Sequence, residues 1–540
     1  MKRTIYFLIT SAMLSLVFSS CNDWLTVPVD GKSTSTELYT GSDGYRSSLN
    51  GIYKGLAVDE LYGLQLQYGV IDFFSNQYRN DLREDEQSST IFIAAGKREF
   101  KNVALQPVLN SMWMTAYNRI AAANDLIDNV SKASDSKFKQ GEMERKMIYG
   151  EALAIRALLH FDMLRLFAPA PVNDDGQAYI PYITTFPEVL GAHVPVKVSL
   201  DMVIKDLEDA RELVRLYDFS PMGISANASG KARFYNNLEY GMEGYGKTEG
   251  LDEFFLGRGY RFSYWAITGL LARAYQYKAA YNASFYEKAK TLAQEVLDAK
   301  CTDDKGETSY SPFKNEDFNG FAYAQDPEQM RDVRMVGNLL LGIYRDNEAE
   351  AKLSGIEASF PREKKSPAQY SFCAVDVDGQ DIFKTAGGVD ESKDDIRCLR
   401  LLFKPINSYN ISLSTKWYVK TRDADERKRT LNIFPILRTS EMRFIIAETL
   451  ARNNEFDKAY EILNEMRRNR GLRNGDLPTQ ASLEGFLKDL VREGQREWIS
   501  EGQLFYLYKR LNFAVKRDDG TFAPFKKEEC VVPLPIEELK

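Results

Sequence analysis

The chain has 540 residues, of which 70 are Lys or Arg and 77 are Asp or Glu, so its formal net charge is −7. This charge excludes a basic protein that binds nucleic acid by bulk electrostatic attraction. Apolar residues make up 44% of the chain and charged residues 27%, ordinary values for a globular protein, which exclude a chain that is disordered throughout. With two histidines, His160 and His193, the sequence is poor in the commonest metal ligand and general base.

The N-terminal segment has the pattern of an export signal. Two basic residues precede an apolar run over residues 5–18, which is too short to span a bilayer as a mature helix. After two small serines comes Cys21, the position at which bacterial lipoproteins are cleaved and acylated, although Phe18 replaces the usual leucine. We therefore predict a lipoprotein signal peptide over residues 1–20, lipid attachment at Cys21 and a polar, lipid-anchored spacer over residues 21–35. The alternative is an ordinary signal peptide with a cysteine there by chance.

Apolar residues recur with the helical period of 3.6 in long blocks, which predict a mainly helical protein. The blocks cover residues 113–130, 147–167, 200–216, 264–281, 286–297, 436–452, 456–468 and 483–508. Many fall in pairs, and Ala447, Ala459 and Leu463 occur at the offsets of a tetratricopeptide repeat. Residues 264–299 repeat the pattern. We therefore predict a scaffold of helical hairpins whose last pair packs closely at Ala447 and Ala459.

Long irregular stretches separate these blocks, at about 56–100, 168–198, 218–260 and 303–435. Loops of this length are uncommon in compact proteins and usually carry function. We expect these stretches to expose aromatic rings, namely Tyr62, Tyr68, Phe73, Phe74 and Tyr78 in the first and Tyr310, Phe313, Phe318, Phe321 and Tyr323 in the last. The sequence thus predicts a helical scaffold that carries aromatic, polar loops.

Several motifs, in their order along the chain, resemble those of one family. They are WMTAYNRIAAANDLI from Trp113, GEALAIRALLHFDMLRLFAPAPV from Gly150, GLLARAYQY from Gly269, FPILRTSEMRFIIAETLA from Phe434, RNRGL from Arg468, REGQREWISEG from Arg492 and VVPLPIEEL from Val531. Together with Cys21 they resemble the SusD/RagB family of Bacteroidetes outer-membrane nutrient-binding lipoproteins across nearly the whole chain. Leu504 and Leu507 depart from the polar Arg and Asp that are usual in the family.

The resemblance implies a fold and a function. The expected fold is mainly α, a tetratricopeptide-like helical-hairpin scaffold with long irregular loop insertions. Residues 36–540 would form a single SusD-like domain, with insertions at about 56–100, 218–260 and 303–435. The expected protein is lipid-anchored to the outer membrane and faces the cell surface. It would capture an oligosaccharide or polysaccharide and deliver it to a SusC-like TonB-dependent transporter, without catalytic residues, a cofactor or a metal.

Two alternatives from other classes stay open. Tetratricopeptide arrays commonly hold peptides in a concave face, so the chain could be a peptide-binding or protein-binding scaffold lipoprotein. A secreted glycosidase needs only two carboxylates, and 77 acidic residues supply many candidates.

Ligand-binding residues are predicted from the chemistry of sugars. Aromatic rings stack on the apolar faces of sugar rings, while amides, carboxylates and guanidinium groups satisfy the hydroxyls. Residues of these types cluster in two loops, with Phe73, Asn76, Gln77, Tyr78, Arg79 and Asp81 in the first and Phe321, Tyr323, Tyr344 and Arg345 in the last. For each aromatic residue the alternative is a ring that fixes its loop to the body. The segment LLLGIY before Arg345 also fits a strand with a buried aromatic residue.

Charged residues within the helical blocks indicate packing rather than catalysis. Arg156, Glu441, Glu448, Arg496, Glu497 and Glu501 lie among apolar neighbours, and we expect inter-helical ion pairs that fix the register. By the same reasoning Asn124 is expected to be a satisfied buried amide and Trp113 a core residue.

Three other signals are weak. GMEGYGKT from Gly241 matches the phosphate-loop pattern but lacks the preceding apolar strand and the following helix that would cradle phosphates. DVDGQD from Asp376 lacks the first and twelfth ligands of a helix-loop-helix calcium site, which leaves at most a weaker surface site. The remaining cysteines, Cys301, Cys373, Cys398 and Cys530, show no metal or redox spacing and are treated as structural, either paired or free.

Overall fold

The structure is a computed structural model that describes residues 38–79, 87–188, 191–234, 252–302, 309–313, 334–345, 350–361, 373–405, 411–417, 431–517 and 520–539. The predicted signal peptide, Cys21 and the spacer lie outside the described residues. So do the phosphate-loop-like motif and three predicted ligand-binding residues, Asp81, Phe321 and Tyr323.

Helices form most of the described chain, and the strands are short and occur in antiparallel pairs. The helices are α1 (Ser42–Leu56), α2 (Val70–Phe74), α3 (Gln87–Lys97), α4 (Gln106–Ser131), α5 (Gly141–Phe167), α6 (Val196–Asp218), α7 (Pro221–Asn227), α8 (Gly230–Arg233), α9 (Tyr264–Lys278), α10 (Ser284–Leu297), α11 (Glu350–Ser359), α12 (Ile396–Leu401), α13 (Thr439–Arg452), α14 (Phe456–Arg468), α15 (Leu483–Glu497), α16 (Leu504–Leu511) and α17 (Lys527–Cys530). The strands are β1 (Ala178–Pro181), β2 (His193–Pro195), β3 (Cys301–Thr302), β4 (Ser309–Tyr310), β5 (Leu339–Tyr344), β6 (Leu402–Phe403), β7 (Leu413–Ser414), β8 (Ile433–Arg438), β9 (Val515–Lys516) and β10 (Phe522–Ala523).

The long helices pack on one another in chain order. α4 packs on α5, α5 on α6, α6 on α9, α9 on α10, α10 on α13 and α13 on α14. Ala447 of α13 and Ala459 of α14 are fully buried, as expected for small residues that let two helices approach closely. This confirms the predicted mainly α fold, a helical-hairpin scaffold with irregular insertions.

α5 lies at the centre of this stack, and every residue from Gly150 to Phe167 is buried. A helix that is buried on all faces must pair its charged groups. Its Arg156 lies 2.6 Å from Asp206 of α6, and its Glu151 lies 2.5 Å from Arg258. Among the described residues, no helix is long and apolar enough to cross a membrane.

Two predicted helical blocks contain a strand or a break in the structure. Residues 436–438 belong to β8, which pairs antiparallel with β5, and the helix begins at Thr439. A short apolar run such as IFPIL does not distinguish a buried strand from a buried helix by its period, and here the pairing with β5 decides the outcome.

The second block, 483–508, is interrupted between α15 and α16. Ser500 and Gly502 adopt positive φ angles of 59° and 69°. The backbone N of Gly502 donates to Asp72 Oδ1 at 3.1 Å, and the backbone N of Ser500 donates to Gln77 Oε1 at 2.7 Å. Residues from the first irregular stretch therefore satisfy the backbone where the helix is broken.

Gly502→Ala is expected to lower the free energy of unfolding by about 1–3 kcal/mol, because the left-handed backbone strains any residue with a Cβ atom. A Cβ atom at this position would also lie 2.3 Å from the carbonyl oxygen of Leu66. Urea unfolding measures the effect. As the control, Gly51→Ala within α1 places its Cβ in open space and should stabilise the protein slightly. Equal effects of the two substitutions would contradict this account of the break.

The charged residues expected to form ion pairs all do so. The pairs are Arg156–Asp206 (2.6 Å), Glu441–Arg273 (2.6 Å), Glu448–Arg510 (2.6 Å), Arg496–Glu391 (2.7 Å), Glu497–Arg470 (2.7 Å) and Glu501–Arg438 (2.8 Å). The first three join two helices, as predicted, and Glu497 also joins α15 to α12 through Arg397 at 2.9 Å. Arg496 and Glu501 tie α15 and the turn after it to a loop and to β8. Asn124 is also a satisfied buried amide, since its Nδ2 donates to Ile183 O at 3.0 Å, and Trp113 is fully buried.

The expectation of exposed aromatic rings in the first irregular stretch is wrong. Tyr62, Tyr68, Phe73, Phe74 and Tyr78 are each at most 2% exposed and belong to the main core. The Tyr68 ring lies 4.5 Å from that of Trp417, and the Phe74 ring 5.4 Å from that of Phe505. Phe313 of the last stretch is also buried, and Phe318 lies outside the described residues. The stretch folds into the core because distant segments cover it.

His160 is buried as a neutral imidazole. Its Nδ1 lies 2.9 Å from Arg156 O, and its Nε2 accepts a hydrogen bond from Ile183 N at 3.0 Å, an arrangement that requires a proton on Nδ1 alone. The ring stacks on Tyr182 at 3.9 Å. Burial lowers the pKa of His160 from 6.5 to about 3.

Acidification from pH 6.5 to pH 5 is therefore expected to destabilise the fold through His160. In this range the unfolded chain binds a proton on His160 that the folded chain excludes, so stability falls as the pH falls, by about 2 kcal/mol in total. Urea unfolding at both pH values measures the change in the free energy of unfolding. We expect this change to be smaller by this amount in His160→Gln than in the parent. His193→Gln is the control, because His193 is the other histidine of the chain and lies near the surface. If both variants keep the parent's pH effect, His160 is not buried as a neutral group.

The four cysteines among the described residues form no disulfide with one another. Cys301, Cys373 and Cys530 are buried, and Cys398 is half-buried. Of the two states left open by the sequence, the structure therefore has the one without disulfides.

Candidate functional site

A groove of about 780 Å³ opens beside the exposed ring of Tyr344. We call it the Tyr344 groove. Its lining residues come from α1 and the turn after it, from the segment around Tyr260, and from the end of β5; they are Asn50, Tyr53, Lys54, Ala57, Val58, Asp59, Glu60, Leu256, Gly257, Tyr260, Arg261, Tyr344 and Arg345.

β5 carries Tyr344 to the mouth of this groove. Tyr344 is the last residue of the strand and pairs with Ile433 of β8. Its side chain is 48% exposed, in contrast to the five preceding residues of the strand, which are all buried. The ring meets Tyr260 edge to face at 5.6 Å, and Tyr260 in turn meets Phe234 at 5.1 Å. A row of packed rings thus supports a ring that is half open to solvent.

Arg345, the next residue, fixes the opposite wall. Its Nη1 lies 2.8 Å from Asp59 Oδ1 and 2.7 Å from the carbonyl oxygen of Gly63, and the residue is 4% exposed. Its backbone N donates to Asn432 O at 2.8 Å. Arg345 therefore holds the turn after α1 against the end of β5, while Tyr344 faces the groove.

α1 supplies the polar side of the groove. Asn50, Tyr53 and Lys54 share one face of this helix because they are spaced three and four residues apart. Asn50, Lys54 and Asp59 are exposed, and Glu60 is half-buried. The rim thus offers amide, ammonium and carboxylate groups beside an aromatic ring.

A buried carboxylate, Glu151, neutralises the charge of Arg261 in the lining of the groove. Glu151 Oε2 accepts hydrogen bonds from Arg261 Nε at 2.9 Å and from the Tyr53 hydroxyl at 2.8 Å, and Oε1 accepts one from Arg258 at 2.5 Å. Burial acts to raise the pKa of Glu151, but Arg261 and Arg258 outweigh it and hold this pKa below its ordinary value. Glu151 is therefore an ionised structural group without a proton to donate.

The first predicted cluster lies at a different groove. A groove of about 880 Å³, which we call the polar groove, is lined by Asn76, Tyr78, Arg79, residues 375–380, Ser412, Lys516, Arg517 and Gly520. It shares no lining residue with the Tyr344 groove. The structure thus brings Tyr344 together with Arg345, and Asn76 together with Tyr78 and Arg79, but divides these two sets between two grooves.

Most side chains of this first cluster face inward. Phe73, Gln77 and Tyr78 are each at most 2% exposed, and the Tyr78 hydroxyl donates to Ser500 Oγ at 2.8 Å. Asn76 Oδ1 accepts a hydrogen bond from Arg98 Nη1 at 2.6 Å. Arg79 is half-buried and lines the polar groove. In this structure the buried members hold the loop to the body, and a ligand-binding role for the cluster stays a prediction.

Sequence reasoning missed the residues that complete the Tyr344 groove, namely Asn50, Tyr53, Lys54, Asp59, Glu60 and Tyr260. A distant contact creates this site, since Arg345 and Gly63 are separated by 282 positions in the chain. The sequence gives one indication of this groove, since Asn50, Tyr53 and Lys54 share a helical face. That pattern does not reveal that the end of β5 lies beside this face.

A third groove, of about 690 Å³, runs along α15 and is mainly apolar. We call it the apolar groove. Leu483, Leu487 and Val491 of α15 line one side, and Phe513 and Phe522 line the other. Phe522 is 67% exposed. Among the described residues, no group of three or more Cys, His, Asp or Glu side chains is arranged to hold a metal ion.

A scaffold of helical hairpins whose insertions form open grooves is typical of a helical binding protein. Comparisons with known proteins point to the same class. The family model SusD-like_3, described as "Starch-binding associating with outer membrane", matches residues 23–234, and the model SusD_RagB, described as the SusD family, matches residues 402–529. Together the two matches cover more than half of the chain. The chain belongs to the SusD/RagB family. No curated protein matches the sequence.

Solved structures share the fold at low sequence identity. A SusD-like carbohydrate binding protein from Bacteroides vulgatus is 19% identical, with a TM-score of 0.62 over 92% of this chain and 96% of its own. A SusD superfamily protein from Bacteroides thetaiotaomicron is 18% identical, with a TM-score of 0.63 over 92% and 97%. Surface glycan-binding protein A from Bacteroides fluxus is 16% identical, with a TM-score of 0.57 over 92% and 96%. These similarities establish the fold.

Proposed function

We propose that this protein is a non-catalytic, lipid-anchored glycan-binding protein of the outer membrane. The observation that carries the proposal is the Tyr344 groove, in which a half-exposed aromatic ring stands beside Asn50, Lys54, Asp59 and Glu60. The description of the matching family model, which names starch binding and the outer membrane, supports the same function.

The Tyr344 groove has the chemistry that an oligosaccharide requires. An aromatic face stacks on the apolar C–H face of a sugar, and rim groups that both donate and accept hydrogen bonds satisfy its hydroxyls. Because Tyr260 and Phe234 hold the Tyr344 ring in place, binding costs little conformational entropy. A volume of about 780 Å³ accommodates several sugar units.

The carboxylates around the groove favour binding over hydrolysis. A glycosidase needs one carboxyl group that holds a proton and a second that is ionised. Glu151 is saturated by Arg258, Arg261 and Tyr53, and Asp59 forms an ion pair with Arg345. Both carboxylates therefore stabilise the walls of the groove. Glu60 remains on the rim, and one carboxylate does not supply the required pair.

Affinity electrophoresis with a panel of plant, host and microbial polysaccharides tests the function. We expect at least one glycan to retard the purified protein in native gels, while assays for new reducing ends in the same mixtures stay at background. New reducing ends would establish a glycosidase, and a panel without any retardation would refute glycan binding.

The proposed position at the cell surface depends on Cys21 and on a partner. We propose that acylated Cys21 anchors the protein and that a SusC-like TonB-dependent transporter receives the glycan from it. Affinity purification from solubilised outer membranes should recover a large β-barrel protein together with the parent chain, and Cys21→Ala should release the chain from the membrane fraction. Recovery without such a barrel would contradict the partnership.

The apolar groove along α15 favours a second candidate function, the binding of an apolar peptide. Phe522 and the three aliphatic residues of α15 form a surface that an amphipathic segment could cover. A peptide-display screen distinguishes the two functions. Peptides that bind the parent and not Phe522→Ala, from a protein that binds no glycan, would favour this second function.

A further inference from the structure

A small cavity of about 40 Å³ lies among mostly buried side chains, where α5, α9, α13 and α16 meet. We call it the interior cavity. Its polar lining residues are Arg165, Arg273, Gln276, Tyr277, Glu441, Gln503, Tyr506 and Arg510. A space of this size exceeds the roughly 10–15 Å³ that one water molecule needs, so it accommodates a single monatomic ion or a few waters.

Four hydrogen-bond donors on this wall have no hydrogen-bond partner among the described residues. They are Arg165 Nε, Arg273 Nη1 and the hydroxyls of Tyr277 and Tyr506. Each of the four side chains is at most 5% exposed. A buried donor without a partner costs about 1–3 kcal/mol, so four around one cavity indicate a site for an acceptor.

The two hydroxyls stay protonated and therefore act as donors. Burial raises the pKa of Tyr277 and of Tyr506 above the ordinary value. Both tyrosines line the same cavity as Arg165, whose guanidinium group lies over the Tyr506 ring at 3.7 Å.

The charges on the wall favour an anion over water. Three guanidinium groups line the cavity against one carboxylate, Glu441. Glu441 is engaged by Arg273, whose Nε and Nη2 donate to it at 2.6 and 2.7 Å. The carboxylates that pair with Arg165 and Arg510, Asp162 and Glu448, are not among the lining residues. The lining thus carries more positive than negative charge, and its other polar groups are the amides of Gln276 and Gln503.

We propose that the interior cavity binds a chloride-sized monovalent anion, held by Arg165 Nε, Arg273 Nη1 and the hydroxyls of Tyr277 and Tyr506. The anion bridges α5, α9 and α16, and it stabilises the contact between the centre and the C-terminal part of the scaffold. This site shares no lining residue with the three grooves.

Bromide diffraction of the parent protein tests the proposal most directly. Crystals in which bromide replaces chloride should show an anomalous peak inside the interior cavity. In solution, the thermal unfolding temperature of the full-length protein should rise with sodium chloride or bromide to a plateau, above its value in sodium gluconate of equal ionic strength.

Variants link the halide effect to the cavity. The double variant Tyr277→Phe, Tyr506→Phe removes two donors. The halide concentration that gives half of the rise in unfolding temperature should therefore increase by about tenfold or more. Tyr508→Phe is the matched control on α16, because its hydroxyl accepts a hydrogen bond from Gln495 and lies outside the cavity wall. It should leave the halide response unchanged.

The proposal is overturned if the bromide crystals show no anomalous peak in the cavity, or if the unfolding temperatures in chloride and gluconate coincide. The cavity then holds water. Diffraction and the salt comparison both use the parent chain. They therefore test the proposal even if the double variant folds poorly.

Discussion

Replacing Glu493 by alanine is expected to lower the free energy of unfolding by roughly 3–5 kcal/mol, since it leaves buried guanidinium groups without their counter-charge. Glu493 Oε2 accepts from Arg397 Nη2 at 2.7 Å, and Oε1 accepts from Arg467 and from Arg496. All four side chains are at most 1% exposed. Thermal and urea unfolding measure the effect.

Glu493 belongs to an ion cluster that joins α14 and α15 to the insertion before β6. The cluster contains four carboxylates and four arginines, namely Glu391, Asp395, Glu493, Glu497, Arg397, Arg467, Arg470 and Arg496. Burial acts to raise the pKa of Glu493, but Arg397, Arg496 and Arg467 outweigh it and hold this pKa below its ordinary range. The cluster is balanced in charge, so losing one member affects all the others.

Glu484→Ala is the matched control on the same helix. Glu484 forms an exposed ion pair with Lys488 one turn along α15, and such pairs contribute little to stability. We expect its unfolding midpoint to equal that of the parent. If Glu493→Ala unfolds at the same denaturant concentration as Glu484→Ala, the buried cluster does not support the C-terminal hairpins.

Tyr344→Ala is expected to weaken binding of the retained glycan by about tenfold or more, because the ring supplies the stacking surface of the Tyr344 groove. Stability should change little, since the side chain is 48% exposed. Tyr344→Phe keeps the ring and should retain most of the affinity. Isothermal titration calorimetry with the same glycan measures all three proteins.

Phe522→Ala serves as the comparison for this experiment. Phe522 is also an exposed aromatic residue, at 67%, but it lines the apolar groove. Glycan affinity should be unchanged in this variant. An unchanged affinity in Tyr344→Ala, together with a loss in Phe522→Ala, would move the glycan to the groove along α15.

The helical scaffold could be predicted because its cause is local. Apolar residues at a period of 3.6 predicted α13 and α14, and Ala447 and Ala459 predicted their close packing. The charged residues among them correctly indicated buried ion pairs. The boundaries that failed depend on distant partners. β8 is a strand because it pairs with β5, and the break before α16 is held by Asp72 and Gln77.

The exposure of the aromatic loops could not be predicted for the same reason. Tyr78 is buried because its hydroxyl reaches Ser500, 422 positions away in the chain. Tyr344 lies in a strand of buried residues and is nevertheless exposed, because the strand ends there beside Tyr260. Amino-acid type identified aromatic and polar candidates, whereas their orientation is set by segments that the local sequence does not reveal.

Hydroxyl-radical footprinting, with and without the retained glycan, measures directly which surface the ligand covers. The proposed function predicts that the glycan lowers the oxidation of Tyr344 and Tyr260 and leaves Phe522 and the segment that carries Arg79 unchanged. Full oxidation of Tyr344 in the saturated complex, with protection at Arg79 or Phe522 instead, would contradict a glycan-binding role for the Tyr344 groove.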